Sequence, residues 1–207
     1  MKKKYIALIA TISTMFSLAL ADGLDSVYVG MGVGVSNLTD KSATHTSAPG
    51  FSLYAGYDVA DWMQLEGSFY SVGFNKIGSS YNTAGEPSAL VNNSAQVNNL
   101  SFTGKFDWWW VDSFALYAKL GLAFQYNNYN TSLYPNAGSK VGRTSQAVGN
   151  NSGFQPGLLG GLGLQWNLGR VGLRLEDMYQ VSSSNNDAPA NGLGSFNTYG
   201  FIVQYHF

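Results

Sequence analysis

The last ten residues of the chain decide its fold, and they read TYGFIVQYHF from Thr198 to Phe207. Every second side chain from Tyr199 to Phe207 is large and apolar, and most of the alternate positions are small or polar. A period of two is typical of a β-strand with one face in an apolar medium and the other in a wetter one. Such strands span a bilayer only as a closed sheet, because closure leaves no unpaired edge in the hydrocarbon. The stretch therefore predicts a membrane β-barrel.

The N-terminus has the composition of an export signal. Residues 2–4 are three lysines, the run from Tyr5 to Leu20 is mostly apolar, and Ala19-Leu20-Ala21 offers a small-x-small cleavage pattern. The run is short for a membrane span and ends in small residues, which favours a cleaved peptide over an N-terminal anchor. We therefore predict a signal peptide over residues 1–21 and one domain over residues 22–207.

Composition narrows the class of protein. Only 11% of residues are charged, against about a quarter in ordinary soluble domains, and 25 residues are glycine. Removal of residues 1–21 leaves 8 basic and 12 acidic residues, a net charge of 8 − 12 = −4, which gives no basis for nucleic-acid binding. The absence of cysteine excludes disulfides, a lipid-modified cysteine and thiolate zinc sites.

Eight alternating segments follow from the turn and loop signals. They are residues 27–35, 51–59, 63–74, 97–108, 114–126, 154–166, 171–180 and 199–207. Each is close to the ~9–11 residues that a tilted strand needs to cross a bilayer. The predicted fold is an all-β, eight-stranded, antiparallel, up-and-down transmembrane barrel.

Charged residues follow the same alternation. Seven of the eight within the predicted strands fall on the polar face: Asp58, Glu66, Lys105, Asp107, Lys119, Arg174 and Glu176. Asp177 alone falls on the apolar face. We expect Asp177 either toward the outer end of its strand, where an acid on the lipid face costs less, or turned inward by a bulge.

Connection lengths and tryptophans predict the orientation. Short turns at residues 60–61, 109–112 and 167–170 alternate with long polar connections at 36–50, 75–96, 127–153 and 181–197. Outer-membrane barrels have short periplasmic turns and long outer loops, so both termini should be periplasmic. All five tryptophans lie beside the short turns and predict a periplasmic aromatic girdle: Trp62, Trp108, Trp109, Trp110 and Trp166. A soluble β-sandwich would also alternate, but it needs no such girdle.

Three segments resemble the OmpA membrane-domain and OmpX group of small outer-membrane barrels. They are Leu116–Gly121, Gly172–Glu176 and the closing stretch from Tyr199. The resemblance implies a Gram-negative outer membrane, with lipids and lipopolysaccharide around the barrel. It also implies that the barrel assembly machinery reads a C-terminal signal at Tyr199, Phe201, Val203, Tyr205 and Phe207. Because the chain stops at Phe207, we expect no peptidoglycan-binding domain and no wall-anchoring role.

The predicted lumen is where chemistry would reside. Five inward charges should form an ion-pair network, since buried charges persist only when paired: Glu66, Lys105, Lys119, Arg174 and Glu176. Such a network is either a plug that holds the barrel shut or, as the resemblance suggests, a gate. Inward glycines could leave water-filled pockets: Gly30, Gly32, Gly34, Gly56, Gly161 and Gly163.

No catalytic residues, metal ligands or cofactor motif emerge. His45 and His206 have no serine and carboxylate at a recognisable spacing, so an enzyme acting on lipids is not expected. We predict a non-enzymatic protein with a structural and adhesin-like role, whose four long loops meet host or other surface ligands. Tyr81, Tyr129 and Tyr134 are candidate loop anchors. The alternative function is a narrow channel or small-solute carrier similar to OmpW-type barrels.

Overall fold

The computed structural model describes residues 26–39, 45–81, 89–135, 146–182 and 195–207, which form one closed antiparallel β-barrel. The strands are β1 Val27–Thr39, β2 His45–Ala60, β3 Met63–Tyr81, β4 Ala89–Val111, β5 Phe114–Pro135, β6 Gln146–Leu168, β7 Val171–Ser182 and β8 Phe196–His206. The predicted fold class is therefore confirmed. The predicted signal peptide, residues 1–21, lies outside the described residues. No helix in the described ranges is long and apolar enough to cross a membrane.

Closure is made by β1 and β8, which pair from Tyr28 opposite His206 to Leu38 opposite Phe196. A row of facing residues followed once around the barrel starts at Val171 and returns to β7 at Val181, a stagger of 181 − 171 = 10 residues. A stagger of this size requires strands inclined to the barrel axis, typically by about 35–45°. Residues at equal depth in the bilayer are consequently not direct cross-strand partners.

The strands extend further from the short turns than the sequence predicted. β3, β4, β5 and β6 contain 19, 23, 22 and 23 residues, about twice the ~9–11 needed to cross a bilayer. Polar stretches assigned to loops continue the ladder, with Asn92 opposite Ser132 and Asn130 opposite Asn150. Backbone groups pair there whether or not the side chains alternate. The predicted loops at 36–50, 75–96 and 127–153 are thus largely strand. In the structure, the residues between strands at this end are 40–44, 82–88, 136–145 and 183–195.

The two faces of the wall match the alternation. The seven charged residues predicted to face inward do so, and all of them except Asp58 are buried. Asp177 is exposed on the outer face, and β7 pairs with both neighbours without a register shift, so no bulge turns it inward. It is the seventh of twelve residues in β7, with Tyr179 and Val181 beyond it. Asp177 therefore lies mid-strand, not at the outer end.

Exposed aromatic side chains surround the end of the barrel that carries the short turns. All five tryptophans are exposed there, and the Trp109 indole donates a hydrogen bond to the Asp61 carbonyl at 3.1 Å. Trp62 stacks on Phe106, and Trp110 lies against Phe114. The β6–β7 turn is closed by Gly169, whose φ of 68° is in the left-handed region that favours glycine. Exposed aromatic side chains are typical of the membrane–water interface, so the girdle stays a prediction at this end of the barrel.

Candidate functional site: the filled lumen

Four charged side chains meet at the centre of the lumen. Arg174 donates to Glu66 at 2.7 Å and to Glu176 at 3.2 Å. Lys119 pairs with Glu176 at 2.8 Å and also with Glu66. The two cations and two carboxylates balance, and all four side chains are at most 3% exposed. This central network, Glu66, Lys119, Arg174 and Glu176, contains four of the five residues predicted from the sequence.

Lys105 does not belong to the central network, contrary to the sequence expectation. Its ammonium lies 2.5 Å from Asp107 and 3.0 Å from the Gln64 side-chain oxygen. Lys105 and Lys119 face each other directly across β4 and β5. Because like charges at facing positions repel, each lysine needs its own acids. Lys105 therefore forms a second, smaller cluster with Asp107.

Tyrosines complete the hydrogen bonding of the carboxylates. Tyr28 donates to Glu66 at 2.8 Å, and Tyr54 donates to Glu176 at 2.6 Å. Tyr117 donates to Glu176 at 3.2 Å and lies under the Arg174 guanidinium, whose central carbon is 5.2 Å from the ring centre. Buried carboxylates are tolerated only when their remaining lone pairs are satisfied in this way. The alternation placed these tyrosines on inner faces but gave no indication of their partners.

Inward glycines make room for these rings. Gly56 faces Tyr28 across β1 and β2, and Gly163 faces Tyr117 across β5 and β6. A Cβ atom at either glycine would overlap the neighbouring tyrosine ring. At Gly161, the same space is taken by the Met178 sulfur. At these positions the glycines therefore accommodate side chains, and the expected water-filled pockets do not form.

The end of the lumen near the short turns carries His206. Its Nδ1 lies 3.8 Å from Asp58, its Nε2 lies 2.8 Å from the Gln204 amide nitrogen, and its ring packs on Tyr28. None of these contacts involves a serine hydroxyl. The side chain of His45 lies outside the described residues. Within the described ranges, no group of three or more His, Asp or Glu residues could hold a metal ion.

The half of the lumen away from the short turns contains an apolar cluster that the sequence did not predict. Its members are Ala48, Tyr70, Val72, Phe74, Val97 and Phe196. Phe196 lay in a segment assigned to a loop, and Phe74 lay at the end of a predicted strand, so neither was recognised as lumen-facing. The sequence did carry a signal for Phe74, because even spacing along a strand places side chains on the same face and Phe74 is evenly spaced from Glu66 and Tyr70.

The predicted C-terminal signal residues all point away from the lumen. Tyr199, Phe201, Val203, Tyr205 and Phe207 are exposed on the outer face. Ile202 and Gln204, between them, are fully buried. The alternation of the closing stretch is therefore an exposed row on the outside of the wall that alternates with buried residues in the lumen.

A family model supplies the identification that the geometry suggests. The model of the OmpA-like transmembrane domain matches residues 11–206. The chain belongs to this family. As an OmpA-like domain it is a barrel of the bacterial outer membrane. No curated protein matches the chain.

Solved structures share the architecture of this OmpA-like barrel. Neisserial surface protein A superposes with a TM-score of 0.58 at 13% identity, covering 87% of this chain and 97% of that protein. Ail, the attachment invasion locus protein of Yersinia pestis, gives 0.54 at 15% identity, covering 88% and 99%. The N-terminal barrel of Pseudomonas aeruginosa OprF gives 0.52 at 15% identity, covering 90% and 100%. Ail has also been solved with the heparin analogue sucrose octasulfate. At these identities the likeness shows the fold alone.

Proposed function

We propose that the protein is a non-enzymatic structural and surface-interaction protein of the outer membrane. Its barrel would be a sealed support in the bilayer, and its outer strand ends and connections would meet external ligands. The observation that carries this proposal is the combination of a filled lumen with long outer strands. Side chains occupy the barrel centre, while β3 to β6 are about twice as long as the bilayer requires.

The outer end has a charge that suggests a first ligand class. Four of the basic residues lie in its strand ends and connections: Lys41, Lys76, Lys140 and Arg143. Three acidic residues accompany them: Asp40, Glu86 and Asp187. Lys140 and Arg143 fall in the same connection, residues 136–145, which contains no acid. The outer end is therefore slightly basic, and the sulfated ligand bound by Ail makes a sulfated saccharide the first probe.

Heparin binding to the protein in phospholipid vesicles tests the surface role. We expect Lys140→Gln/Arg143→Gln to weaken binding several-fold, and the binding to fall with added salt because exposed charges are screened. Arg170→Gln, in the turn at the opposite end, is the matched control and should bind as the unaltered protein does. Equal binding by the outer-end variant would contradict the assigned surface. Absence of binding by the unaltered protein would remove sulfated saccharides as the ligand class.

Export and assembly are part of the same proposal. Residues 1–21 would be removed during export, and the short turns and both termini would face the periplasm. The barrel assembly machinery would read the outward row from Tyr199 to Phe207, and lipopolysaccharide and other outer-membrane lipids would contact the wall. Mass spectrometry of the protein from outer membranes tests the cleavage after Ala21. Protease treatment of intact cells tests the orientation, since only the outer connections should be cut.

A narrow channel is the second candidate function, and the geometry of the central network favours it. Lys119 and Arg174 each contact both Glu66 and Glu176, so partners can exchange without leaving a charge unpaired. A solute carrier of the OmpW type would use such an exchange as a gate. Planar-bilayer recordings of the unaltered protein and of Arg174→Ala or Glu66→Ala test this function. If none of the three proteins conducts ions, opening of the central network alone is not sufficient to form a channel.

A further inference from the structure

Buried side chains occupy the lumen at a second level, on the side of the central network away from the short turns, which we call the outer side. One half of this level is the apolar cluster from β2, β3, β4 and β8, whose members are at most 8% exposed. The other half is a ladder of buried amides in which Asn99 donates to Gln180, Gln180 to Gln125, and Gln125 to Asn127. The halves adjoin, since Phe196 faces Gln180 across β8 and β7. We call these ten residues the outer seal: Ala48, Tyr70, Val72, Phe74, Val97, Asn99, Gln125, Asn127, Gln180 and Phe196.

A small chamber, most of whose lining residues are polar, separates the outer seal from the central network. Its volume is about 40 Å³, and its walls include Tyr70 and Phe196 of the seal as well as Glu66, Lys119 and Glu176 of the network. Ser68 and Ser101 also line the chamber, and their hydroxyls are hydrogen bonded to each other at 2.6 Å. The Asn99 side-chain oxygen is buried without a hydrogen-bond partner in the protein. At roughly 10–15 Å³ per water-sized probe, the chamber has room for about three water molecules with polar partners.

We propose that the outer seal is a permeability barrier in its own right, and that the chamber is an enclosed hydrated compartment between two closures in series. This inference goes beyond the surface role and does not rest on it. The seal contains ten neutral side chains and no charged one. An ion that passes through it would lose its hydration without gaining a countercharge, and hydrophobic constrictions close pores to ions for this reason.

The two closures differ in what would open them. The central network is held by charge pairs and opens by exchange of partners. One half of the seal is held by packed apolar side chains and the other by hydrogen bonds between neutral amides, so rearranged charges leave it in place. Breaking the network alone would therefore not open the chamber to the outer side. Access from the outer side requires displacement of side chains such as Phe74 and Phe196.

Cysteine accessibility tests this arrangement directly, because the chain contains no cysteine. Ser101→Cys places a thiol in the chamber wall, at a position that is 3% exposed. The protein in detergent micelles is treated with 2-aminoethyl methanethiosulfonate, and the modification rate is measured by mass spectrometry. We expect slow modification in the otherwise unaltered protein and a rise of at least tenfold when Phe74→Ala/Phe196→Ala is added. A Ser152→Cys variant, exposed on β6, gives the rate of an open thiol.

Matched variants separate opening of the seal from general loosening. Phe51→Ala/Phe154→Ala removes two rings from the outer wall and should leave the modification rate of the chamber thiol unchanged. Val72→Ser alters one small seal residue with little change in volume and should raise that rate several-fold even if the double truncation does not fold. Folding is checked by circular dichroism and by heat-dependent gel mobility.

Two results would overturn the proposal. The first is a chamber thiol that, behind the unaltered seal, reacts as fast as the open thiol of the Ser152→Cys variant. The second is an unchanged rate of the chamber thiol in seal variants that have folded.

Discussion

Replacement of Glu66 by glutamine is the sharpest test of the central network. Glu66 accepts hydrogen bonds from Arg174, Lys119 and Tyr28, so Glu66→Gln keeps the shape and removes one of the two negative charges that balance the two buried cations. Loss of one partner from a buried ion pair typically costs about 3–5 kcal/mol. Glu176 still contacts both cations, so we expect the lower end of that range, about 3 kcal/mol in the free energy of unfolding.

A charge-balanced variant separates electrostatics from packing. Glu66→Gln/Lys119→Met removes one charge of each sign and leaves the Arg174–Glu176 pair intact. Replacement of a whole buried pair is often close to neutral, so this double variant should cost about 1 kcal/mol, less than Glu66→Gln alone. The two single changes would then be strongly non-additive, as expected for groups in one network.

Urea unfolding in phospholipid vesicles measures these differences. The tryptophans at the short-turn end are exposed on the folded barrel, so in vesicles their surroundings, and with them their fluorescence, should change when the barrel unfolds. A cost of less than about 1 kcal/mol for Glu66→Gln, well below the range for a buried pair, would refute the electrostatic role of this carboxylate. A double variant that costs the sum of the two single ones would refute it as well.

Three further predictions address the wall and the assembly signal. Gly56→Ala should lower the free energy of unfolding by about 1–3 kcal/mol, because the new Cβ atom overlaps the Tyr28 ring. The control is Gly73→Ala, whose Cβ atom meets nothing within 4 Å and which should change the free energy of unfolding by less than about 0.5 kcal/mol. Asp177→Leu should raise the free energy of unfolding by about 1–2 kcal/mol, because it removes a carboxyl from the lipid-facing wall. Val33→Asp adds a carboxyl at another outward position and should lower the free energy of unfolding. Equal stability of the unaltered protein and both variants would contradict the lipid contact. Phe207→Ala should slow insertion by the barrel assembly machinery in cells but not folding of the purified protein in detergent. The control Phe51→Ala removes another outward ring and should insert normally. An unaffected insertion rate of Phe207→Ala would remove Phe207 from the signal.

The strands and their faces were predictable because the bilayer imposes a period of two. Phe114 to Tyr126 alternates throughout its bilayer crossing, and the structure confirms that phase. The outer strand ends were not predictable in the same way. Residues such as Asn92 and Asn130 lie beyond the apolar part of the wall, so the apolar alternation ends while the backbone ladder continues.

The lumen was predictable in composition but not in pairing. Parity places Lys105 and Lys119 on the same inner face, and both are buried there. It does not give their height, which depends on a ten-residue stagger accumulated over eight strands. Lys105 and Lys119, which face each other across β4 and β5, therefore pair with different carboxylates. The same limitation concealed the outer seal, whose members come from separate strands and meet only after closure.

The length of β3 to β6 has a thermodynamic consequence for recognition. β5 is paired as far as Pro135, and β6 is paired from Gln146, so the connection between them starts and ends on hydrogen-bonded backbone. Ordering a free loop on binding costs about 1–2 kcal/mol for each residue that becomes fixed. Residues already held in the ladder incur that cost during folding of the barrel. A ligand that contacts these strand ends would meet preorganised groups, so its affinity would not be reduced by the cost of ordering them.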